Sequence, residues 1–159
     1  MIVFENVSPV SSVAETIIRA YMFEVVSRYH GRAATPDEIE QALADEPWGD
    51  LEGSTGVFLV AFDEGVPVAC AGLRFDGDTA IAELTKLFTV EKRRGEGIGS
   101  RLLLRLEETA RGRGSQALRL DTRSSLSEAC RLYERLGFEQ VPPFNEERYS
   151  DRWYSKVLA

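Results

Sequence analysis

The chain has 159 residues, 43% of them hydrophobic, with a mean hydropathy of -0.21, which is enough apolar side chain for one globular core and excludes a disordered tail or a collagen-like chain. Lys and Arg number 19 against 26 Asp and Glu, a formal charge of -7, which opposes sequence-independent binding of nucleic acid. The charge is uneven: residues 1–80 hold 4 basic and 14 acidic side chains and residues 81–159 hold 15 and 12, so positive charge gathers in the second half.

No segment reaches the ~18 consecutive apolar residues of a membrane span, and Met1 to Val10 lacks a basic stretch followed by an apolar one, so a cytoplasmic protein with no membrane partner is expected. Cys70 and Cys130 form no C-x-x-C and no Cys/His cluster; buried reduced thiols are expected, with no metal site and no disulfide. His30 is the single histidine and lies at an expected helix end, a poor basis for a histidine-dependent hydrolase.

In chain order, Ile2 to Val7 reads as a short strand. Val13, Ile17, Tyr21 and Val25 recur every fourth residue and predict an amphipathic helix over 12–29, capped by Ser11 or Ser12. Thr35-Pro36-Asp37-Glu38 supplies a cap, a proline at the first helical position and acids in the first turn, starting a second helix that ends near Asp45. Glu46 to Gly56 contains Pro47, Trp48 and three glycines without periodicity and reads as a loop of a length that often covers a site. Val57 to Phe62 and Val66 to Leu73 flank Asp63-Glu64-Gly65, and Arg74-Phe75 leads through Asp76-Gly77-Asp78 to a third β run ending at Val90, an antiparallel meander. Ile98, Leu102, Leu103, Leu106 and Ala110 mark a helix, Ala117 to Leu120 a strand, and Ala129, Leu132, Tyr133 and Leu136 a helix stopped at Gly137. Phe138 to Val141 and Trp153 to Leu158 complete the sheet. The order βααβββαβαββ predicts an α/β (α+β) fold with mixed strand directions. No repeat or linker divides it, so residues 1–159 read as a single domain.

Arg93-Arg94-Gly95-Glu96-Gly97-Ile98-Gly99-Ser100 stands between a strand and an amphipathic helix. Alternating glycines let backbone N–H groups point inward, and the helix N-terminus and the arginines add positive charge, so the turn suits a pyrophosphate; a tight turn with no ligand has the same pattern. Ser100-Arg101 stands where a P-loop needs Lys followed by Ser or Thr, and Leu102 stands where a dinucleotide fingerprint needs its third glycine, which sets both of those readings aside.

With these residues the chain resembles the GNAT superfamily of acyl-CoA-dependent N-acetyltransferases. Arg94-Gly95-Glu96-Gly97-Ile98-Gly99 is similar to its R/Q-x-x-G-x-G/A motif, and Ala129-Cys130-Arg131-Leu132-Tyr133-Glu134-Arg135-Leu136-Gly137-Phe138 to its A-x-x-L-Y-x-x-x-G-F junction. Leu120-Asp121-Thr122 with Val141-Pro142-Pro143-Phe144 resembles one group of small bacterial members. The resemblance is close over 83–141, weaker over 57–82 and only architectural before that. It implies a mixed, mainly antiparallel sheet of about seven strands with about four helices, and direct transfer of an acetyl group from acetyl-CoA to a primary amine of a small molecule or peptide. A non-catalytic acyl-CoA-binding or regulatory domain is the alternative.

The resemblance further implies that the backbone of Leu87, Phe88, Thr89 and Val90 pairs with pantetheine. Arg94, Gly95, Glu96, Gly97, Ile98, Gly99 and Ser100 would bind pyrophosphate, and an N–H near Leu87 would stabilise the thioester oxyanion. Tyr133 matches the tyrosine that protonates the departing thiolate, and it also reads as a core aromatic. Glu83, eleven residues before Arg94, is the candidate base for the amine, or else an edge acid paired with Lys86 or Arg74. Leu126 stands where many members have a pantetheine-binding asparagine, so Ser125 or Ser127 is expected to substitute or to cap a helix. Glu96 sets an acid inside a turn that is usually basic or neutral. Arg74 reads as a holder of an acceptor carboxylate or as a surface residue. Phe23, Tyr29, Trp48, Trp153 and Tyr154 are candidates for an acceptor pocket or the core, and Tyr149 to Trp153 for a lid or homodimer contact. Lys86 to Arg123 carries 10 basic and 5 acidic residues around the expected phosphate site, leaving the acidic first half to face a cationic acceptor.

Overall fold

The helices begin where local chemistry satisfies their free N–H groups. Ser11 caps helix α1 (Ser12–His30) by accepting from Ala14 N at 3.2 Å. Thr35 caps helix α2 (Pro36–Asp45) in a capping box, accepting from Glu38 N at 3.2 Å while the Glu38 carboxylate accepts from Thr35 N at 2.8 Å. The remaining elements are strands β1 (Ile2–Asn6), β2 (Gly56–Asp63), β3 (Val66–Phe75) and β4 (Ile81–Thr89), helix α3 (Ile98–Gly112), strand β5 (Ala117–Thr122), helix α4 (Ser127–Arg135) and strands β6 (Glu139–Val141) and β7 (Arg152–Val157). A 3-10 turn, Glu91–Arg93, which periodicity did not reveal, joins β4 to the glycine-rich turn. This computed structural model describes residues 1–75, 77 and 80–158. The expected Asp76-Gly77-Asp78 turn has both aspartates outside the described residues.

The strands form one seven-stranded sheet in the order β1-β2-β3-β4-β5-β7-β6. Every pairing is antiparallel except β4 with β5. Helices α1 and α2 cover one face, packing on Phe58, Val60, Cys70 and Phe88, while α3 and α4 cover the other, packing on Leu59, Leu73, Leu84 and Leu118. Strand β2 is therefore buried on both faces, which explains an unbroken apolar run where a one-sided sheet would alternate. The buried stripe of α1 runs through Ala14, Ile18, Met22 and Val26 as well as Ile17 and Val25. Val13 and Tyr21 lie at its margin, and Tyr21 is half-buried.

Two irregularities create space in this sheet. Cys70 pairs with Phe88 and Gly72 with Thr85, so one residue of β3 faces two of β4, a bulge at Lys86 and Leu87. Lys86 takes a left-handed φ of 57° there. Side-chain parity changes across it: Ala82 and Leu84 before the bulge pack with α3 and α4, and Phe88 after it packs with α1 and α2. Beyond Glu83, strands β4 and β5 separate, since their ladder runs only from Ile81–Ala117 to Glu83–Arg119.

Two connections are tied down beside this opening. Between α2 and β2, Trp48 Nε1 donates to Pro9 O at 2.7 Å, Arg74 Nε donates to Asp50 Oδ2 at 2.6 Å, and Leu51 is fully buried. Between β6 and β7, Asp121 of β5 accepts from Ser150 Oγ at 2.5 Å and from Asn145 Nδ2 at 2.9 Å, and Trp153 Nε1 donates to Asn145 Oδ1 at 2.8 Å.

Removing the α2 cap with Thr35→Ala should cost about 1 kcal/mol and lower the midpoint of thermal unfolding by roughly 2–4 °C; an unchanged midpoint would show that the capping box adds nothing to stability.

Candidate active site

Two adjoining cavities of about 520 and 540 Å³ lie along β4 where it leaves β5. Tyr21, Leu87, Leu126 and Ala129 line both, so the two spaces meet at the β4 bulge.

The first cavity lies against the glycine-rich turn. Gly95 and Gly97 have φ of 82° and 79°, conformations that a side chain would strain. Gly97 is the N-cap of α3 and has no side-chain cap bond. The N–H groups of Ile98, Gly99 and Ser100 thus have no acceptor within the helix and sit at its positive end. Gly99 allows α4 to come close, since a Cβ there would lie 3.1 Å from Leu132 Cδ2. Of the residues that the resemblance implies for the cofactor, Leu87, Phe88, Thr89, Arg94, Gly95, Gly97, Ile98, Gly99 and Ser100 line this cavity. Three expected residues do not. Val90 donates its N–H to Val68 O at 2.9 Å and packs into the core. Glu96 turns to Arg93, with both contacts at 3.0 Å. Ser125 is exposed and its Oγ accepts from Arg123 Nε at 3.2 Å.

The arginines of the turn are already engaged. Arg94 places its terminal nitrogen 2.8 Å from both oxygens of Glu24 and donates its Nε to Thr89 O at 2.9 Å. Arg93 reaches Asp63 at 2.7 Å as well as Glu96. Arg131 and Arg135 add cationic groups to the rim.

The second cavity is acidic. Asp45 reaches it from the end of α2, Glu46 and Asp50 from the α2–β2 connection, Glu83 from β4, Asp121 from β5 and Glu147 from the β6–β7 connection, against the cations Arg74 and Lys86. Lys86 is 4% exposed and its Nζ lies 5.7 Å from the centre of the Tyr21 ring. Burial lowers its pKa, opposed by the neighbouring charge of Glu46. Burial raises Glu46 to about 8, with Lys86 pulling it down and the adjacent Glu147 carboxyl pushing it up. Tyr133 is 6% exposed and lines this cavity from α4, with Phe138 and Tyr154 against its ring. Burial moves its phenol above the usual range, so it stays a proton donor. Glu83 is 3.9 Å from Arg119 Nε and pairs across the sheet with Arg74.

Of the aromatic residues with an acceptor pocket or the core as alternatives, Tyr154 is in the core with its hydroxyl donating to Glu134 at 2.6 Å, Trp48 and Trp153 hold the two connections, and Phe23 and Tyr29 are exposed. Tyr149 is buried and packs edge-on to Tyr29. Arg74 is held by Asp50. Cys70 is buried with its thiol pushed up to about 12, and Cys130 is buried in the other core, donating to Arg123 O at 3.4 Å. The sequence reading missed Tyr21, Lys86 and Glu46. The apolar register of α1 hides Tyr21, an expected regular strand hides Lys86, and Glu46 is one acid among several in a loop.

Gly97→Val, placing a β-branched residue at a left-handed φ in the turn, should raise the Kd for CoA tenfold or more in calorimetry with the fold retained by circular dichroism. Unchanged affinity would show that the turn does not cradle the anion.

Residues 19–138 match the model of the Acetyltransferase (GNAT) family. An IAA acetyltransferase of Azospirillum brasilense is 37% identical over 87 residues, which cover 55% of this chain and 57% of that protein, so the match spans little more than half of either. The crystal structure of a GNAT-family acetyltransferase from Staphylococcus aureus Mu50 superposes with a TM-score of 0.79 at 18% identity over all of both chains. That of the PaiA N-acetyltransferase from Thermoplasma acidophilum in complex with coenzyme A superposes with 0.78 at 20% identity over 99% of each. These two share the fold, and the family match, together with the cavity against the glycine-rich turn, leads to one conclusion: the chain belongs to the Acetyltransferase (GNAT) family.

Proposed function

We propose that this protein transfers an acetyl group from acetyl-CoA directly to a primary amine of a small molecule or peptide, with both substrates bound together. The carrying observation is the meeting of two chemically different cavities at one bulge, a phosphate-suited turn on one side and an acid-rich space on the other.

The residues suit the cofactor. The glycine-rich turn and the α3 N-terminus offer N–H donors to a pyrophosphate. Strand β4 leaves its neighbour at the point where pantetheine would add as a strand. Bound in this way, acetyl-CoA supplies the activated thioester. The bulge interrupts the ladder at Lys86 and Leu87, and an N–H at that interruption would polarise the thioester carbonyl and stabilise the developing oxyanion. Tyr133 would protonate the departing thiolate. Carboxyls of the same cavity, Glu83 from the strand side and Glu46 from the α2–β2 connection, stand to take the proton of the amine. The buried, protonated Cys70 fits a path with no acyl-enzyme. Six cavity carboxyls against two cations favour an acceptor that arrives as an ammonium.

Acetyl-CoA-dependent release of CoA with a panel of primary amines tests this reading; tight CoA binding without amine-dependent release would make the domain a binding module instead. Tyr133→Phe should lower kcat by about a hundredfold or more while leaving the calorimetric Kd for acetyl-CoA unchanged. Wild-type turnover in that variant would remove Tyr133 from the chemistry.

A further inference from the structure

Glu46 and Glu147 come from two separate connections, α2–β2 and β6–β7, and both line the acceptor cavity and a small recess beside it that also reaches Tyr21 and Leu126. Those two residues are shared with the cofactor cavity, so this carboxyl pair stands at the throat between the two spaces. Glu83 lines the acceptor cavity too, from β4 before the bulge, but not the recess, and it stands near Arg74 and Arg119.

The throat is also the firmly held end. Glu46 closes α2, its N–H donating to Ala42 O at 3.1 Å, and Trp48 fixes the next residues onto Pro9. Glu147 donates its N–H to Asn145 Oδ1 at 3.2 Å and accepts at its carbonyl from Ser150 N at 3.2 Å, and both partners are bound to Asp121.

We propose that Glu46, with Glu147 beside it, receives the proton of the acceptor ammonium. This rests on the transfer reading above and names the residue that completes it. The titratable and charged groups sharing these two spaces with Glu46 are Tyr21 from α1, Asp45 from α2, Asp50 from the α2–β2 connection, Arg74 from β3, Glu83 and Lys86 from β4, Asp121 from β5, Arg123 just after β5, Tyr133 from α4, and Glu147 and Tyr149 from the β6–β7 connection. Lys86 opposes protonation, whereas Glu147 and Asp121 favour it. Burial and the adjacent Glu147 carboxyl hold Glu46 above the ordinary carboxylate range, which narrows the uphill gap to an ammonium near pKa 10.

The step balances. R–NH3⁺ gives one proton to the Glu46 carboxylate and attacks as R–NH2; the C–N bond forms, and the C–S bond breaks with its electron pair leaving on sulfur. Tyr133 protonates that sulfur and recovers a proton from the nitrogen, and Glu46 releases its proton to solvent, so one proton leaves per amide formed. Because the ionised carboxylate is the active form, kcat/KM should rise with pH through about 8.

Two measurements on the whole chain test the assignment: carboxyl titration by ¹³C NMR in the free protein, and the pH dependence of CoA release with benzylamine, tyramine, cadaverine and a glycine-terminated peptide as probes. Glu46 should titrate near 8. Glu147→Gln should move both that titration and the kinetic limb to lower pH. Glu46→Gln should lose about a hundredfold in kcat/KM together with the limb, and Glu83→Gln should lower the rate with the limb in place. A Glu46 carboxyl titrating in the ordinary range, a limb that persists in Glu46→Gln, or one that moves with Glu83→Gln would each overturn the assignment within an active enzyme. Absence of release with every amine, while acetyl-CoA still binds, would overturn the transfer reading and this step with it.

Discussion

The left-handed turn of a single non-glycine residue, Lys86 at φ 57°, is the constraint on which the site depends. Such a conformation costs roughly 1–2 kcal/mol and persists only where its surroundings hold it. The Lys86 side chain is buried against Tyr21, its charge is answered by Glu46 and Glu147, and its carbonyl accepts from Cys70 Sγ at 3.3 Å. In return the bulge changes which face of β4 each side chain meets and interrupts the ladder at Leu87. The line between the two cavities falls at that residue. A regular β4 would continue its alternation past Thr85, turning Phe88 out of the α1/α2 core.

Charge is arranged by space rather than by stretch of sequence. Of the six carboxyls in the acidic cavity, Asp45, Glu46 and Asp50 come from the acidic first half, and Glu83, Asp121 and Glu147 from the basic second half. At the glycine-rich turn, Arg93 and Arg94 are balanced within the fold by Asp63, Glu96 and Glu24. The proposed attraction for a phosphate there rests chiefly on the open end of α3 and on Arg131 and Arg135. Glu24 lines that cavity while it pairs with Arg94, and Glu96 turns to Arg93.

Features written in local chemistry were legible from sequence. The Ser11 and Thr35 caps, the apolar run of β2 and the stop at Gly137 each need only neighbours in the chain, and the glycine pattern at 95–99 displays its backbone freedom directly. Pairing across long separations was not legible. The bulge exists only in the register of β3 with β4, and no residue type announces it, because lysine is an unusual occupant of a left-handed position. Tyr21 was read as part of a core stripe, since a fourfold spacing places it beside the buried residues without showing that it ends at a cavity. Trp48 looked like a pocket residue because it is an aromatic in a loop, and the distant Pro9 carbonyl that binds it was out of view. Glu46 acquires its character from Lys86 and Glu147, 40 and 101 residues away in the chain.

The proposed transfer puts the reacting thioester beside Leu87 at the bulge, and a crystal structure with a non-hydrolysable acetyl-CoA analogue is its test. Pantetheine should run along Leu87 to Thr89, pyrophosphate should sit at Gly95 to Ser100, and the acyl carbonyl should lie within hydrogen-bond distance of an N–H at the bulge, with its carbon facing Tyr133 and Glu46. An acyl group lodged away from the bulge, or a cofactor lying outside the β4–β5 opening, would contradict it.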